Sequence, residues 1–290
     1  MLANNNEAII NKLAKNSVKT NKKQYAILFF TIILSAFMLF CVFTIGMTYL
    51  NSSRLQNTRL NGAEYDIVTM NGFTSEQLNT LQQNENIRSV GIESYAGFIQ
   101  STEYDKTVEI GLLWCDEVFW DNLMSPARTK LDGHYPQNKN ELMVTKDILK
   151  TCGNENLSVG DSLILTYENN TGVYTDEFVI SGIWDGYGDT SAGFVSKAFY
   201  DETGYDLKNN GILCIKLNCN YVFPTTIQSI EKSLDFSDRQ IFAPTGYIEN
   251  SFKLLLGICG LALVICLSAY LLIYNILYLS VSGKIRYYGC

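Results

Sequence analysis

The sequence predicts an α+β fold in which two transmembrane helices flank a mixed α/β extracytoplasmic domain. Two uncharged apolar segments give the helices: residues 26–50 form a run of 25 residues, and residues 254–281 form a run of 28. About 20 residues span the hydrocarbon core of a bilayer, so both runs are long enough to cross it. Strand and helix patterns alternate between these runs, which indicates a mixed domain rather than an all-β sandwich.

The first apolar segment has the features of a retained anchor rather than a cleaved signal peptide. A signal peptide has an apolar region of about 7–15 residues that ends at a small-residue cleavage site. Here the run has 25 residues, is bulky throughout and ends in Met47-Thr48-Tyr49-Leu50. We therefore expect the segment to stay in the membrane.

The distribution of charge predicts the orientation of the chain. Residues 1–25 carry five lysines and one glutamate, and Lys284 and Arg286 follow the second apolar segment without an acidic residue. Residues 51–250 contain 14 Lys and Arg against 28 Asp and Glu. Basic residues are retained on the cytoplasmic side, so both ends are predicted to be cytoplasmic and residues 51–250 to lie outside. An acidic middle region also argues against nucleic-acid binding.

These observations divide the chain into five predicted segments. The leader has apolar residues at helical spacing with lysines between them, which is typical of a helix on the inner membrane surface, although a soluble leader fits as well. The segments are a basic amphipathic cytoplasmic leader (1–25), the first transmembrane helix (26–50), the extracytoplasmic domain (51–250), the second transmembrane helix (251–281) and the start of a cytoplasmic loop (282–290).

The first half of the extracytoplasmic domain begins with a strand and a capped helix. After a strand at residues 64–70, Thr74 and Gln77 have the spacing of a capping box, and Leu78 and Leu81 share one helical face. The helix is predicted to run to about Asn84. The elements that follow are strands at 87–100 and 107–114 and a helix at 117–124.

The second half is predicted to be richer in strands. Asn169-Asn170-Thr171-Gly172 has the composition of a hairpin turn, because Asn and Gly tolerate positive φ. A strand at 162–167 precedes this turn, and the return strand covers 177–184. The remaining predictions are strands at 141–144, 193–196 and 212–217, and helices near 146–150 and at 225–234.

A search for catalytic and metal-binding motifs predicts no enzyme, no cofactor and no metal site. Residues 188–197 have the glycine spacing of a phosphate-binding loop, but Phe194 stands where the lysine is required. The single histidine, His134, lies in a Gly-His-Tyr-Pro turn, and the sequence has no G-x-S-x-G motif that would present a serine nucleophile to it. Cys214 and Cys219 are close enough for a disulfide, and free thiols packed as small apolar residues are the alternative.

Four stretches in order resemble the FtsX-like permease family of ABC transporters, in particular its MacB-type group. They are LAKNSVKTNKK at 13–23, LDGHYP with NELMV at 131–136 and 140–144, LSVGDSL with EFVISGI at 157–163 and 177–183, and SVSGKIRYYG at 280–289. The order and spacing of these stretches extend over nearly the whole chain. Gly283 and Tyr287 depart from the family pattern, which usually has glutamate at both places.

The resemblance implies a MacB-like periplasmic core domain and a permease subunit driven by a separate cytoplasmic ABC ATPase. It implies a second permease copy or a homologous permease as a further partner, besides the lipid bilayer. Lys284, Ile285, Arg286, Tyr287, Tyr288 and Gly289 are the residues that it places at the ATPase contact. The alternative is that Lys284 and Arg286 only anchor the membrane interface. The family pattern also continues with further spans, so we expect this chain to be a fragment.

The leading prediction is thus a transport component that exports, extracts or senses an outer substrate such as a peptide or a lipid. A two-span sensory receptor with an extracellular ligand-binding domain is the alternative, because its topology is the same. The sequence after Cys290 separates the two: a receptor continues as a signalling helix, whereas a permease re-enters the membrane.

Overall fold

The computed structural model describes residues 11–12, 15–16, 18–100, 110–187 and 192–288, and the side chains of 279–288 are outside this description. The chain forms two compact units. One consists of Met1–Leu50 with Lys253–Cys290, and the other consists of Asn51–Phe252, which we call the outer domain after its location predicted from the sequence.

From Lys22 onward, the described residues form two long helices with ten strands and five short α-helices between them, and the described leader residues 11–12, 15–16 and 18–20 are also helical. The strands are β1 (Ile67–Met70), β2 (Ile87–Ile99), β3 (Ile110–Cys115), β4 (Arg128–Gly133), β5 (Glu141–Thr145), β6 (Ser162–Asn169), β7 (Gly172–Gly186), β8 (Ala192–Val195), β9 (Gly211–Leu217) and β10 (Ile241–Pro244). The helices are α1 (Lys22–Asn61), α2 (Ser75–Gln83), α3 (Lys146–Thr151), α4 (Lys197–Tyr200), α5 (Leu207–Asn210), α6 (Pro224–Lys232) and α7 (Gly246–Tyr288).

Helices α1 and α7 are long and apolar enough to cross a membrane. Their large apolar side chains, such as Phe30, Phe40 and Leu256, are exposed rather than packed in a protein core. A helix that is apolar on all sides and unburied is suited to lipid and not to water. Within this unit a Cβ built on Gly46 would lie only 2.6 Å from Cδ1 of Ile258, so the glycine allows the two helices to approach closely.

The base of the outer domain is a four-stranded antiparallel sheet in the order β10-β1-β9-β2. Helix α2 connects β1 to β2 and helix α6 connects β9 to β10, so two β-α-β units interleave in one sheet. The two helices cover one face, where Ile67, Leu81, Ile215 and Ile230 are buried together. We call this sheet with its two helices the base.

Six further pairings close a small barrel next to the base. Strand β6 pairs with both β7 and β2, so the ring β2-β3-β8-β5-β7-β6 returns to its starting strand. The inward-facing side chains of all six strands fill its interior, including the fully buried Leu112, Leu142 and Ile180. Side chains alternate along a strand, and the pattern of buried and exposed residues in β6 follows that period.

The structure differs from the sequence prediction at the helix 117–124 and in four elements that the sequence did not predict. The predicted helix at 117–124 is a π-helix at Val118–Leu123, followed by a 3₁₀ turn at Ser125–Ala127. Its wide turn is closed by the N–H of Met124 donating to the Phe119 carbonyl at 2.8 Å, and Pro126 has no N–H with which to continue a helix. Four short elements were not predicted from the sequence: β4, β10, α4 and α5.

Candidate functional site

The residues predicted to contact an ATPase lie at the end of α7. The backbone of residues 284–288 continues that helix to Tyr288, and Gly289 lies outside the described residues. The side chains of this segment are also outside the description. Contact of Lys284, Ile285, Arg286, Tyr287, Tyr288 and Gly289 with an ATPase therefore stays a prediction.

The other candidates from the sequence lie apart from one another. His134 is exposed, and its ring Nδ1 lies 3.0 Å from the Tyr135 carbonyl. Of the stretch 188–197, residues 188–191 fall outside the described residues, and the next four form strand β8. Cys214 is buried and Cys219 is exposed, and both are free thiols. Within the described ranges no group of three or more His, Cys, Asp or Glu side chains is placed to hold a metal ion.

The structure instead brings charged residues together where the two long helices meet the sheet. Lys216 on β9 lies 3.2 Å from Asp66 and 3.2 Å from Glu64, and Arg54 of α1 lies 3.7 Å from the same Glu64 oxygen. The N–H of Thr245, directly before α7, donates to the Asp66 carbonyl at 2.8 Å. We call these five residues the helix joint. Arg54 in the last turns of α1 contacts Glu64, Thr245 before α7 contacts Asp66, and Lys216 on β9 contacts both acids.

The central pair of the helix joint, Lys216 and Asp66, is buried, whereas Arg54 and Glu64 are partly exposed. Lys216 is 5% exposed and Asp66 is 1% exposed. Burial raises the pKa of the Asp66 carboxyl, and the neighbouring Lys216 ammonium and the Leu217 N–H, which donates to Asp66 at 2.9 Å, oppose that rise. A buried pair of this kind is costly to break, because removal of one partner leaves the other charge without compensation.

The alternation of side chains along β9 explains why Lys216 lies in the helix joint. Leu213, Ile215 and Leu217 point to the helix-covered face of the base, and Cys214 and Lys216 point to the opposite face. The signal in the sequence was a single lysine inside the apolar run Ile212–Leu217, and we did not assign it a role. A pairing with Asp66, which is 150 positions away, requires knowledge of the sheet order.

A second feature lies on the same face of the base, opposite α2 and α6. A cavity of about 360 Å³ is lined by Glu93 and Tyr95 of β2, Phe119 of the π-helix, and Ile212 and Cys214 of β9, among others. Burial raises the pKa of the Glu93 carboxyl from an ordinary value of 4.5 to about 7. We call this the Glu93 cavity. No signal in the sequence distinguishes Glu93 from the other acidic residues of the outer domain.

Comparison with known proteins finds similar solved structures, of which two are described here. No family model matches the chain, and no curated protein matches it. The periplasmic region of MacB from Actinobacillus actinomycetemcomitans is 13% identical, with a TM-score of 0.43 over 67% of this chain and 95% of that chain. A domain of a putative permease protein from Porphyromonas gingivalis is 11% identical, with a TM-score of 0.39 over 67% of this chain and 95% of that chain.

Proposed function

We propose that this chain is a permease subunit of an ABC transporter, in which a separate cytoplasmic ATPase drives movement of the outer domain. The observation that carries the proposal is the helix joint. Movement of α1 reaches Glu64 through Arg54, and movement of α7 reaches Asp66 through the Thr245 N–H. Glu64 and Asp66 both contact Lys216 in strand β9 of the base, so movements of the two helices reach the same residue.

Buried contacts at the start of α7 support the same proposal. Tyr247 and Ile248, in the first turn of α7, are packed in the helix-side core of the base, and Ile248 is fully buried. Close-packed cores respond to displacement by switching between discrete arrangements rather than by deforming gradually. A shift of α7 is therefore passed to the base as a rigid movement.

The proposed orientation places both ends of the chain in the cytoplasm and the outer domain outside. It rests on the lysines of the leader and on Lys284 and Arg286, which follow the second apolar segment. Exposed Cys219 gives a direct test in intact cells. A membrane-impermeant maleimide is expected to label the native chain from outside, and Cys219→Ser is expected to remove most of the label. Labelling of Cys219 only after the cells are opened would refute the orientation.

Co-purification tests the partner. The full-length protein is extracted gently with a tag and its partners are identified by mass spectrometry. A P-loop ATPase is expected with the native chain and is expected to be lost when residues 284–289 are replaced by Gly and Ser. As a matched control, Lys12→Gln with Lys15→Gln removes two basic residues elsewhere on the same side and is expected to retain the ATPase. Recovery of a signalling protein without any ATPase would favour the sensory receptor.

A further inference from the structure

The Glu93 cavity has an apolar wall that depends on an irregularity in β2. The pairing of β2 with β3 shifts between Tyr95 and Gly97, so Ala96 is an extra residue in β2. In a regular strand, residues 95 and 98 would point to opposite faces. The bulge restores Phe98 to the face of Tyr95, and the two rings stack at 5.2 Å.

The opposite side of the cavity is also apolar, and its rim is neutral. Phe119, Val68 and Ile212 line it from three different elements, and the exposed amides of Asn61, Asn71 and Asn209 lie at its rim. Glu93 is the only Asp, Glu, Lys or Arg among the described residues that line the cavity. Cavities of a few hundred Å³ with apolar walls and one or two convergent polar groups are typical of small-molecule sites.

The Glu93 carboxyl has no partner within the described parts of the chain. No hydrogen bond or ion pair to it is present there, and burial is the whole cause of its raised pKa. A single carboxylate does not supply the six or more oxygens that Ca²⁺ takes or the octahedral shell of Mg²⁺. An anion would be repelled by it. With metal ions and anions excluded, the ligand that matches the Glu93 carboxylate and the apolar walls is an apolar molecule with a positive charge. Aromatic faces also attract cations.

We propose that the Glu93 cavity binds a small organic cation, with its ammonium group against the Glu93 carboxylate and its apolar body against Tyr95, Phe98 and Phe119. The site does not require that the chain work with an ATPase, so it stands or falls independently of the proposed function. Nothing in the cavity favours one cation over another beyond a size that fits about 360 Å³.

Binding at this site is expected to increase from pH 6 to pH 8. The groups that face Glu93 are Tyr65 from the segment after α1, Tyr95 on its own strand, Cys115 of β3, Tyr135 and Cys214 of β9. Burial raises the pKa of each above its ordinary value, so all stay neutral in this range. Glu93 alone gains charge, from about a tenth ionised to about nine tenths, and the affinity should rise about tenfold.

The experiment measures binding of 2-phenylethylammonium to the full chain in phosphatidylcholine nanodiscs by isothermal titration calorimetry at pH 6 and pH 8. Its neutral isostere, 2-phenylethanol, is titrated in parallel, and empty nanodiscs give the lipid background. Saturable binding of the amine is expected at pH 8, at least tenfold tighter than that of the alcohol. Glu93→Gln is expected to weaken amine binding at least tenfold and to leave alcohol binding unchanged.

Two controls keep the test decisive. Glu177→Gln removes an exposed carboxylate on β7, away from the cavity, and is expected to bind the amine like the native chain. The fluorescence of the three buried tryptophans of the outer domain reports whether each variant is folded. No saturable binding to the native chain, equal binding of amine and alcohol, or undiminished binding to folded Glu93→Gln would each overturn the proposal.

Discussion

Replacement of Lys216 by methionine tests the helix joint most directly. The change keeps the apolar stem of the side chain but removes the ammonium that lies 3.2 Å from both Asp66 and Glu64. The carboxylate of Asp66, a residue at 1% exposure, is then left with the Leu217 N–H as its remaining described partner. Loss of one member of a buried pair costs about 3–5 kcal/mol, and we expect about 3 kcal/mol at pH 7, because Asp66 escapes part of the cost by taking up a proton.

The assay is urea unfolding of the full-length protein in detergent, followed by tryptophan fluorescence. All three tryptophans, Trp114, Trp120 and Trp184, are buried in the outer domain, so the signal reports on this domain alone. The loss in unfolding free energy is expected to shrink at pH 5, where protonation of Asp66 makes the missing ammonium less costly.

The exposed pair Lys139–Glu202 provides the matched control. Its side chains are 58% and 61% exposed, and exposed pairs contribute about 0–1 kcal/mol. Lys139→Met is therefore expected to cost less than 1 kcal/mol, and Lys216→Met with Asp66→Asn is expected to recover at least half of the loss of the single variant. If Lys216→Met costs no more than Lys139→Met, the helix joint does not hold the domain as described.

Three further predictions use the same unfolding assay. Gly133→Ala is expected to cost at least 2 kcal/mol more than Gly160→Ala: both glycines have positive φ, of 89° and 94°, but only at Gly133 would a Cβ meet a backbone atom, the Ser181 carbonyl oxygen at 2.2 Å. Thr74→Ala removes the capping hydroxyl of α2 and is expected to cost about 1 kcal/mol, and a cost near zero would show that the cap is not needed. Glu93→Gln is expected to stabilise the protein increasingly as pH rises, from near zero at pH 4 to about 3 kcal/mol at pH 8. The reason is that the pKa of the native carboxyl is about 7 in the folded state and about 4.5 in the unfolded state. A gain in unfolding free energy that does not depend on pH would contradict this prediction.

Local elements of the fold were predictable because their signals lie within a few residues. The capping box at Thr74 and Gln77 is present in both directions, and α2 begins and ends where the spacing predicts. Asn169 and Gly172 pair as the ends of the β6–β7 hairpin. The mixed α/β class between two apolar helices is likewise as predicted.

The arrangement of those elements was not predictable from the same signals. Closure of the barrel requires β2 to pair with β6, and within the described residues that contact is short, with Phe98 and Ile99 in the ladder and the Gln100 N–H donating to the Thr166 carbonyl. The helix joint and the Glu93 cavity each combine residues from strands far apart in the chain, so no short motif marks them. The sequence shows a lysine within the apolar β9 and an isolated acid within β2. A role can be assigned to either residue only when the order of the strands is known.

The place where the barrel joins the base has a consequence for how the outer domain changes during evolution. Ser94 of β2 pairs with Gly211 of β9, so the chain leaves the base and returns to it at neighbouring positions. Everything between those two residues is an insert, and a short hairpin could close the base in its place. The base and its connections to α1 and α7 can therefore stay constant while the insert is lengthened, shortened or exchanged.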